Sequence, residues 1–412
     1  FSLDVRRSLA LAAARRYPRQ PATIAAVTGT AGKTSVAYFL RQIWARLGHS
    51  AAYLGTIGLV APDGATYGSL TTPDPVDLHA TLDRLAGEGV THMALEASSH
   101  GLDQKRLDGV RFAAGGFTNL GRDHLDYHPT IDAYFRAKLR LFTQVLPQDA
   151  TAVGVLAAPY AATALAWART RGLRTLSIGS DDLDAPDLEI LAVTGAPGGQ
   201  KVRINAGTDR PLDVTVPLVG RFQLDNALLA AGLAIACGGE RVAVLEALSS
   251  LTGVPGRLER IGNDPRRLAF VDYAHKPEAL ATVLDTLRAA VPGRLVVVFG
   301  CGGDRDRGKR PIMGAIAAAK ADVVIVTDDN PRSETPAAIR AEILAGTQGM
   351  GGGVQEIGDR AEAIRAAVAL LQPGDALLVA GKGHETGQII GDRTYPFSDA
   401  AELSAALNEV AA

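Results

Sequence analysis

The chain has 412 residues, 47% hydrophobic and 21% charged, a composition typical of a folded protein of two or three domains rather than a disordered one. Its 42 basic and 44 acidic residues leave a net charge of -2, which gives no electrostatic footprint for nucleic acid or an anionic membrane. Two distant cysteines, Cys237 and Cys301, exclude a disulfide framework, and no apolar run is long enough to span a bilayer, so we expect a cytoplasmic protein.

The first predicted elements lead into a glycine-rich loop. Residues 1–20 are basic and alanine-rich and predict one helix, and the sequence TGTAGKTS follows at 28–35 between an apolar run and a helix-like stretch. This order is that of a phosphate-binding loop, in which Lys33 reaches the outer phosphates and Thr34 ligates a metal. The spacing departs from the strict motif because Val27 stands where a glycine is expected. A glycine-rich turn that only happens to precede lysine is therefore the alternative.

Polar side chains follow the next predicted strands, at 91–97 and 113–119. Glu96 and His124 come at the ends of these strands, where a carboxylate and an imidazole hold Mg²⁺ with the help of water. The spacing fits equally well a Glu96 that caps a helix and a His124 that is an ordinary loop histidine. The turn at 71–75 similarly predicts either a substrate contact or a helix N-cap.

The middle of the chain changes character twice. The amphipathic helix predicted at 134–142 carries Lys138, which the pattern alone places on the solvated surface. Residues 180–217 are rich in Asp, Pro and Gly with short alternating strands, and predict a β-rich insertion or sheet edge. A domain boundary is expected near 254–256, and a new strand–helix series begins at Leu268.

Apolar runs alternate with helical stretches along most of the chain. The runs lie at 91–97, 113–119, 150–156, 268–274, 295–300, 323–327 and 376–381, and the helical stretches at 224–237, 277–290, 311–320, 336–346, 359–371 and 398–409. This alternation predicts an α/β architecture with largely parallel sheets.

Four polar loops follow strands in the C-terminal part. They are VDYAH at 271–275, GCGGDRDRGKR at 300–310, DDNPR at 328–332 and GKGHE at 381–385. Arginine binds carboxylates in a bidentate manner and acidic side chains bind ammonium groups, so loops that converge at one sheet edge suit a zwitterion. A purely structural role for the loops is the alternative.

Taken in order, these motifs resemble the Mur ligases of peptidoglycan synthesis, and within them the ligases that add meso-2,6-diaminopimelate to UDP-N-acetylmuramoyl-L-alanyl-D-glutamate. The resemblance runs from Asp4 to the C-terminus. Its markers are TGTAGKTS, TTPD, EASSHGLDQKR, TNLGRDHLDYH, YFRAKLRLF, VPGRLE, VDYAHKPEAL, GCGGDRDRGKRP, DDNPR and GKGHE. The DNPR sequence resembles the diaminopimelate form, from which lysine-adding relatives depart.

The resemblance implies a fold and a set of partners. A central P-loop ATPase-like domain with a mostly parallel sheet would span 21–255, after a remnant helix of a further domain at 1–20. A smaller Rossmann-like domain at 256–412 would bind the amino acid. ATP and Mg²⁺ would be the cofactors, the UDP-muramoyl dipeptide and diaminopimelate the partners, and the enzyme a monomer without nucleic-acid or membrane partners.

The resemblance also implies roles for individual residues. Those that would hold ATP are Thr30, Gly32, Lys33, Thr34, Asn226, Arg257 and Asp272. Those that would surround Mg²⁺ are Thr34, Glu96, His124 and Lys138, the last being the lysine that the family carbamylates. The catalytic residues would be Lys33, Glu96, His124 and Lys138. Those that would contact the muropeptide are Thr71, Thr72, Ser98, Arg106 and His275, and those that would form the diaminopimelate pocket are Arg305, Asp329, Asn330, Arg332, Gly381 and Glu385.

This chain departs from the family pattern at several positions. The family usually has Asn at Ala31, Gly at Ala26, Asn at Gln223 and Thr at Lys276. The change at Ala31 touches the phosphate loop and is expected to weaken ATP binding. The family's small uridine-binding domain has no counterpart, and residues 1–16 resemble its last helix, so we expect the chain to be part of a longer protein.

The implied reaction is ATP-dependent amide formation through an acyl phosphate, with the two domains closing to exclude water. A lysine-adding muropeptide ligase and a folylpolyglutamate synthase are the alternative enzymes, and Arg332 argues against both. A catalytically impaired nucleotide-binding protein is a third alternative. A GTPase switch ranks last because the guanine-specific N-K-x-D pattern is missing.

Overall fold

The computed structural model describes residues 4–66, 70–124, 126–180, 185–196, 198–208, 210–262, 264, 267–349 and 353–411. The chain divides into two compact units, Phe1–Thr252 and Gly253–Ala412, called unit 1 and unit 2 below. Residues 1–3 of the predicted first helix, and 181–184, 197 and 209 of the predicted β-rich segment, lie outside the described residues. Within the ranges given, no helix is long and apolar enough to span a membrane.

The strands of unit 1 form one mixed sheet. They are β1 (Thr23–Thr28), β2 (Ala51–Gly55), β3 (Gly58–Ala61), β4 (Gly64–Thr66), β5 (His92–Glu96), β6 (Ala114–Phe117), β7 (Thr151–Val155), β8 (Arg174–Gly179), β9 (Leu188–Ala196), β10 (Gly199–Asn205) and β11 (Leu212–Val216). Their order is β11-β10-β9-β8-β7-β6-β1-β5-β2-β3-β4. The pairs from β9 to β2 are parallel, whereas β10 and β11 at one edge and β3 and β4 at the other are antiparallel. The β-rich segment is thus an edge of this sheet.

Helices cover the sheet of unit 1. They are α1 (Val5–Arg16), α2 (Lys33–Arg46), α3 (Pro75–Gly87), α4 (Ser99–Asp103), α5 (Ile131–Arg140), α6 (Ala161–Thr170), α7 (Arg221–Ala236) and α8 (Arg241–Ala247), with a π-helical turn at Leu141–Val145 and a 3₁₀ turn at Leu248–Ser250. The prediction of a helix to residue 20 was wrong, since α1 ends at Arg16. The reason is Pro18, which disfavours the helical conformation at Tyr17.

In the core of unit 1, α7 packs beside α2, and both helices contact the sheet, α2 at β1, β2 and β5 and α7 at β6, β7 and β8. Strand β1 is buried between β5 and β6, as expected of a central parallel strand. A Cβ on Gly116 in β6 would lie 3.0 Å from a methyl carbon of Leu233 in α7, so glycine here lets the helix approach the sheet closely. This packing fixes the C-terminal end of β1, where the phosphate loop begins.

Unit 2 is a second, smaller α/β layer structure. Its strands are β12 (Glu259–Ile261), β13 (Leu268–Asp272), β14 (Leu295–Phe299), β15 (Val323–Val326), β16 (Gly353–Glu356), β17 (Ala376–Ala380), β18 (Gly387–Ile390) and β19 (Arg393–Pro396), and its helices α9 (Pro277–Ala290), α10 (Lys309–Lys320), α11 (Pro336–Ala345), α12 (Arg360–Ala369) and α13 (Asp399–Ala411). The main sheet has the order β12-β13-β17-β14-β15-β16, and β18 and β19 form a separate hairpin.

In that sheet β13, β17, β14, β15 and β16 are parallel, and only the edge strand β12 is antiparallel among the described pairs. Strands β13, β14 and β17 are buried along their whole length, which explains their continuous apolar sequences. The carboxyl ends of β13, β17, β14 and β15 therefore lie side by side at one edge. The predicted α/β class, with a mostly parallel central sheet and a smaller C-terminal domain, is confirmed.

Candidate active site

The loop between β1 and α2 has the geometry of an anion-binding turn. Gly29 and Gly32 adopt φ angles of +145° and +85°, and Gly32 caps the N-terminus of α2. The Lys33 amine donates hydrogen bonds to the carbonyls of Gly29 at 3.0 Å and Thr30 at 2.9 Å, so it curls over the loop. A helix N-terminus with a lysine beside it attracts phosphate.

Two residues at the end of β6 hold this loop in place. The Thr118 hydroxyl donates to the carbonyl of Ala31 at 2.6 Å, and the Ala31 N–H donates to the Asn119 side-chain oxygen at 3.1 Å. The Thr30 N–H donates to the Asn119 carbonyl at 2.9 Å. The side chain of Ala31 is exposed while its backbone is held, so an alanine here leaves the loop conformation intact. Thr118 and Asn119 were missed as site residues, although they belong to the TNLGRDHLDYH motif.

Other predicted nucleotide residues of unit 1 lie against the same loop. Thr34 is buried in the first turn of α2. Asn226 is buried on α7, and a Cβ on Gly32 would lie only 2.4 Å from its side-chain oxygen. The structure thus brings together Thr30, Gly32, Lys33, Thr34 and Asn226.

Glu96 is a buried carboxylate at the end of β5, with 1% of its surface exposed. It accepts hydrogen bonds from the Tyr53 hydroxyl and from the Thr56 N–H at 2.8 Å and hydroxyl at 3.1 Å. It does not cap a helix: Ser98 caps α4, accepting the Gly101 N–H at 3.0 Å. Among the described residues, no basic side chain pairs with Glu96. A buried carboxylate without a counter-charge is suited to a cation.

Four of the five residues predicted to contact the muropeptide lie around Glu96. The Thr72 hydroxyl donates to the Glu96 carbonyl at 2.8 Å and accepts the Ser98 N–H at 3.0 Å. The Arg106 guanidinium donates to the Thr72 carbonyl at 2.6 Å. The hydroxyls of Thr71 and Thr56 are 3.1 Å apart. Thr56, which contacts both Glu96 and Thr71, was not found from the sequence because the loop after β2 carries no recognisable pattern.

Lys138 is buried, and the interpretation of it as a surface lysine is wrong. Its amine donates to the Gly29 carbonyl at 2.6 Å and lies 4.3 Å from the centre of the Tyr134 ring. Burial, with a smaller contribution from the charge of Lys33, lowers the pKa of Lys138 to about 6. In the part of the chain that the structure describes, no carboxylate forms an ion pair with it. The pattern failed because α5 is buried on several faces, so a polar position on it is not a solvated one.

His124 lies at the other side of this cluster. Its ring is 5.0 Å from that of His100 and 6.0 Å from that of Tyr134. Partial burial lowers the pKa of His124, which favours the neutral imidazole that a metal requires.

The donor set of unit 1 suits a Mg²⁺ ion that takes few protein ligands. The described residues contain no group of three or more His, Cys, Asp and Glu placed to hold a metal. Mg²⁺ usually takes one or two protein ligands and completes its shell with phosphate oxygens and water. The uncompensated carboxylate of Glu96 and the hydroxyl of Thr34 beside the phosphate loop fit that pattern of binding.

Unit 2 contains a cavity of about 740 Å³ at the carboxyl ends of its strands. The predicted residues that line it are His275, Arg305, Asp329, Asn330, Arg332, Gly381 and Glu385. These predicted residues bring two arginines and two carboxylates into one cavity, whose lining also contains Lys276, Glu278, Asp306 and Lys309; recognition of a zwitterion requires groups of both charges.

A buried amine organises the acidic side of this cavity. Lys382 is fully buried and donates to the Asn330 side-chain oxygen at 2.9 Å and to the Glu385 carboxylate at 3.1 Å. The Asn330 amide also donates to Glu385, at 2.8 Å. Lys382 was not singled out from the sequence, although it lies in the GKGHE motif.

Arg332 is held in an unusual backbone conformation. Its φ angle is +51°, a left-handed conformation that is energetically unfavourable for any residue other than glycine. The β18–β19 hairpin offsets this strain: the Arg332 N–H donates to the Ile389 carbonyl at 3.1 Å, and its carbonyl accepts the Gly391 N–H at 2.8 Å. Its guanidinium donates to the Gly303 carbonyl at 2.8 Å. The hairpin thus fixes the direction in which Arg332 enters the cavity wall.

The remaining predicted residues of unit 2 lie at the end of β13. Asp272 is buried, and its carboxylate accepts the N–H groups of Leu258 at 2.6 Å and Ala274 at 2.8 Å. Burial raises the pKa of Asp272 to about 6 despite the opposing charge of Arg257. Arg257 stacks 4.8 Å from the centre of the Tyr273 ring. Asp272 thus stabilises the backbone at Leu258 and Ala274, while His275, three residues after it, lines the cavity.

Comparison with known proteins identifies the family. The Mur ligase middle domain matches residues 27–234, and the Mur ligase glutamate ligase domain matches 256–383. Two similar proteins are the UDP-N-acetylmuramoyl-L-alanyl-D-glutamate--2,6-diaminopimelate ligases of Bradyrhizobium diazoefficiens, 58% identical over 98% of this chain and 82% of that protein, and of Caulobacter vibrioides, 52% identical over 99% and 84%.

Solved structures agree. A structure of a UDP-N-acetylmuramoyl-L-alanyl-D-glutamate--2,6-diaminopimelate ligase has a TM-score of 0.76 and 36% identity, covering 100% of this chain and 84% of that one. The Mycobacterium tuberculosis folylpolyglutamate synthase complexed with ADP shares the fold, with a TM-score of 0.70 at 20% identity over 91% of both chains. The chain belongs to the Mur ligase family, as the motif resemblance predicted.

Proposed function

We propose that this Mur ligase joins meso-2,6-diaminopimelate to the D-glutamate of UDP-N-acetylmuramoyl-L-alanyl-D-glutamate, with ATP as the energy source. The observation that carries the proposal is Arg332 in the wall of a cavity that also holds Arg305 and the carboxylates of Asp329 and Glu385. Diaminopimelate has a second carboxylate that lysine lacks, and a guanidinium is the side chain best suited to bind it. The names of the similar ligases support the same substrate.

The reaction divides between the residues of the two units. ATP phosphorylates the γ-carboxylate of D-glutamate, and the amine of diaminopimelate attacks the acyl phosphate to give an amide, ADP and phosphate. Lys33 and the N–H groups at the start of α2 would hold the phosphates and stabilise the charge that develops during transfer. Asn226 and the turn braced by Asp272 would hold the rest of the nucleotide.

Mg²⁺, held by Thr34, Glu96 and His124, would neutralise charge on the phosphate oxygens. The low pKa of Lys138 gives it a neutral amine near neutral pH, and a neutral amine is a nucleophile. Attack on CO₂, with loss of a proton, would form a carbamate and convert a neutral position into an anionic one. This step accounts for a lysine buried next to Lys33 without a carboxylate partner among the described residues.

We propose that the enzyme is monomeric and cytoplasmic. Both cysteines are free, and burial raises the pKa of Cys237 to about 12 and that of Cys301 to about 11. Thiols of this kind are unreactive and suit a reducing compartment.

The test is phosphate release by the full-length protein, with UDP-N-acetylmuramoyl-L-alanyl-D-glutamate, ATP and Mg²⁺. Release with meso-diaminopimelate but not with L-lysine is the expected result. Replacing Arg332 by Asn, which tolerates a positive φ angle, should raise KM for diaminopimelate by about 10- to 100-fold through loss of a charge-assisted bond. Arg332→Lys should recover part of that loss. Equal use of lysine by the wild type would overturn the substrate assignment.

A further inference from the structure

The cavity of unit 2 depends on loops that begin at separate strands. We name the loop at 327–332 after β15 the DNPR loop, and the loop at 381–385 after β17 the GKGHE loop. Asp329, Asn330 and Arg332 belong to the first and Glu385 to the second. Strand β14 lies between β15 and β17 in the sheet, so these two strands do not pair directly. Strand β14 pairs with both and fixes the distance between the strands, while beyond the strand ends side chains that reach both loops help to set the spacing of the loops.

Arg360, the first residue of α12, lies beneath both loops. Its side chain is fully buried and forms a bidentate ion pair with the equally buried Asp399, at 2.7 and 2.8 Å. The same guanidinium donates to the Ala380 carbonyl at 2.9 Å and to the Asp328 carbonyl at 3.2 Å. One planar group thus joins the two loops and the first turn of α13.

The two carbonyls lie directly before residues that line the cavity. Ala380 precedes Gly381, and Asp328 precedes Asp329. A hydrogen bond to a carbonyl fixes the plane of its peptide unit, so Arg360 orients the backbone from which each lining residue projects. Burial acts to lower the pKa of Arg360, but the charge and hydrogen bonds of Asp399, together with the charges of Asp329 and Glu385, outweigh this effect and raise the pKa. The buried cation therefore also attracts the two carboxylates of the cavity.

We propose that Arg360, held by Asp399 of the last helix, is a positioning residue that sets the distance between the DNPR and GKGHE loops and thereby the fit of the amino-acid substrate. The substrate named in the test rests on the proposed function. Arg360 itself does not line the cavity, so it acts through the loops and through Asp399.

The test compares Arg360→Lys with a control variant in the full-length protein. Lysine keeps the charge, but a single ammonium cannot serve two carboxylate oxygens and two carbonyls in one plane. KM for diaminopimelate should rise at least tenfold, while KM for ATP and for the UDP-muramoyl dipeptide stays within twofold of wild type. The control is Arg294→Lys. Arg294 also pairs with a buried carboxylate, that of Asp375, at 2.8 Å and donates to the Leu370 carbonyl at 2.6 Å, but it lies at the amino ends of β14 and β17 and its side chain is partly exposed.

The outcomes separate positioning from a general structural role. An equal change in KM for diaminopimelate in the Arg360 and Arg294 variants would overturn the proposal. A loss of activity that only follows the decrease in the amount of folded enzyme, with KM unchanged, would overturn it too. If Arg360→Lys does not fold, Asp399→Asn decides: it keeps the volume and the carbonyl bonds, and a rise in that KM of less than threefold would count against the proposal. If the wild type uses lysine instead, the proposed function fails, and the same comparison is made with lysine.

Discussion

Unit 1 and unit 2 each bury a lysine, and they do so in opposite ways. Lys138 is 1% exposed and has a carbonyl and an aromatic ring as its neighbours, with the cation Lys33 nearby. Lys382 is 0% exposed, and its neighbours are the side-chain oxygen of Asn330 and the carboxylate of Glu385. Burial of a charge without a partner shifts its protonation, whereas burial with a partner produces an ion pair.

The comparison shows how one residue type serves two purposes. A neutral amine is reactive, and Lys138 is placed beside the phosphate loop where reactivity or a change of charge can be used. An ion-paired amine is rigid, and Lys382 holds two side chains of the amino-acid cavity at fixed positions. The difference lies in the neighbours and not in the depth of burial.

Replacement of Lys138 by Met should have the largest effect. We expect the rate of phosphate release to fall by about 10³-fold, because a charged or polar group aimed at the phosphates is lost. Stability should stay the same or increase, since a buried polar group is replaced by an apolar one of similar size. Tryptophan fluorescence during urea unfolding measures this stability specifically in unit 1, which contains both Trp44 and Trp167. Full activity of the variant would show that the buried amine of Lys138 in unit 1 has no role in the reaction.

Replacement of Lys382 by Met should reverse that pattern. Removal of one partner takes a donor from the buried side-chain oxygen of Asn330 and the counter-charge from the partly exposed Glu385, and unfolding free energy should fall by roughly 2 to 3 kcal/mol. KM for diaminopimelate should rise with it, while KM for ATP stays near the wild-type value. Unit 2 has no tryptophan, so far-ultraviolet circular dichroism is the measurement. A variant as stable as wild type would show that the pair is not a structural element.

The sequence predicted the central part of both sheets well. The runs that became β7, β13, β14 and β17 are continuous and apolar because both faces of each strand are buried, and that pattern is local. The β18–β19 hairpin was not predicted, since its strands are short and mostly exposed and carry no alternation. The turn at 71–75 contains the helix N-cap that was one of its two interpretations, because Asp74 caps α3, and the substrate contact stays a prediction.

The site was predictable where its residues follow strands in recognisable motifs, as Glu96, Asn330 and Arg332 do. It was not predictable where function depends on packing between distant segments. Nothing local marks Arg360 and Asp399 as partners, since they are 39 residues apart on different helices. Lys138 shows the same limit, because helical spacing describes a surface and cannot report what covers it.

The pH dependence of stability sharpens the comparison most finely, although its effect is the smallest. Lys138 has a pKa of about 6 in the folded chain against an ordinary value of 10.5. Between these values the unfolded chain binds one more proton than the folded chain, so stability rises with pH by up to ~1.4 kcal/mol per unit. Between pH 7 and 9 the unfolding free energy of the wild type should therefore increase by about 2 kcal/mol relative to that of Lys138→Met. Tryptophan fluorescence during urea unfolding, without Mg²⁺ or CO₂, measures this difference. All other groups are common to the two proteins, so a difference that stays flat would mean that Lys138 remains charged when buried.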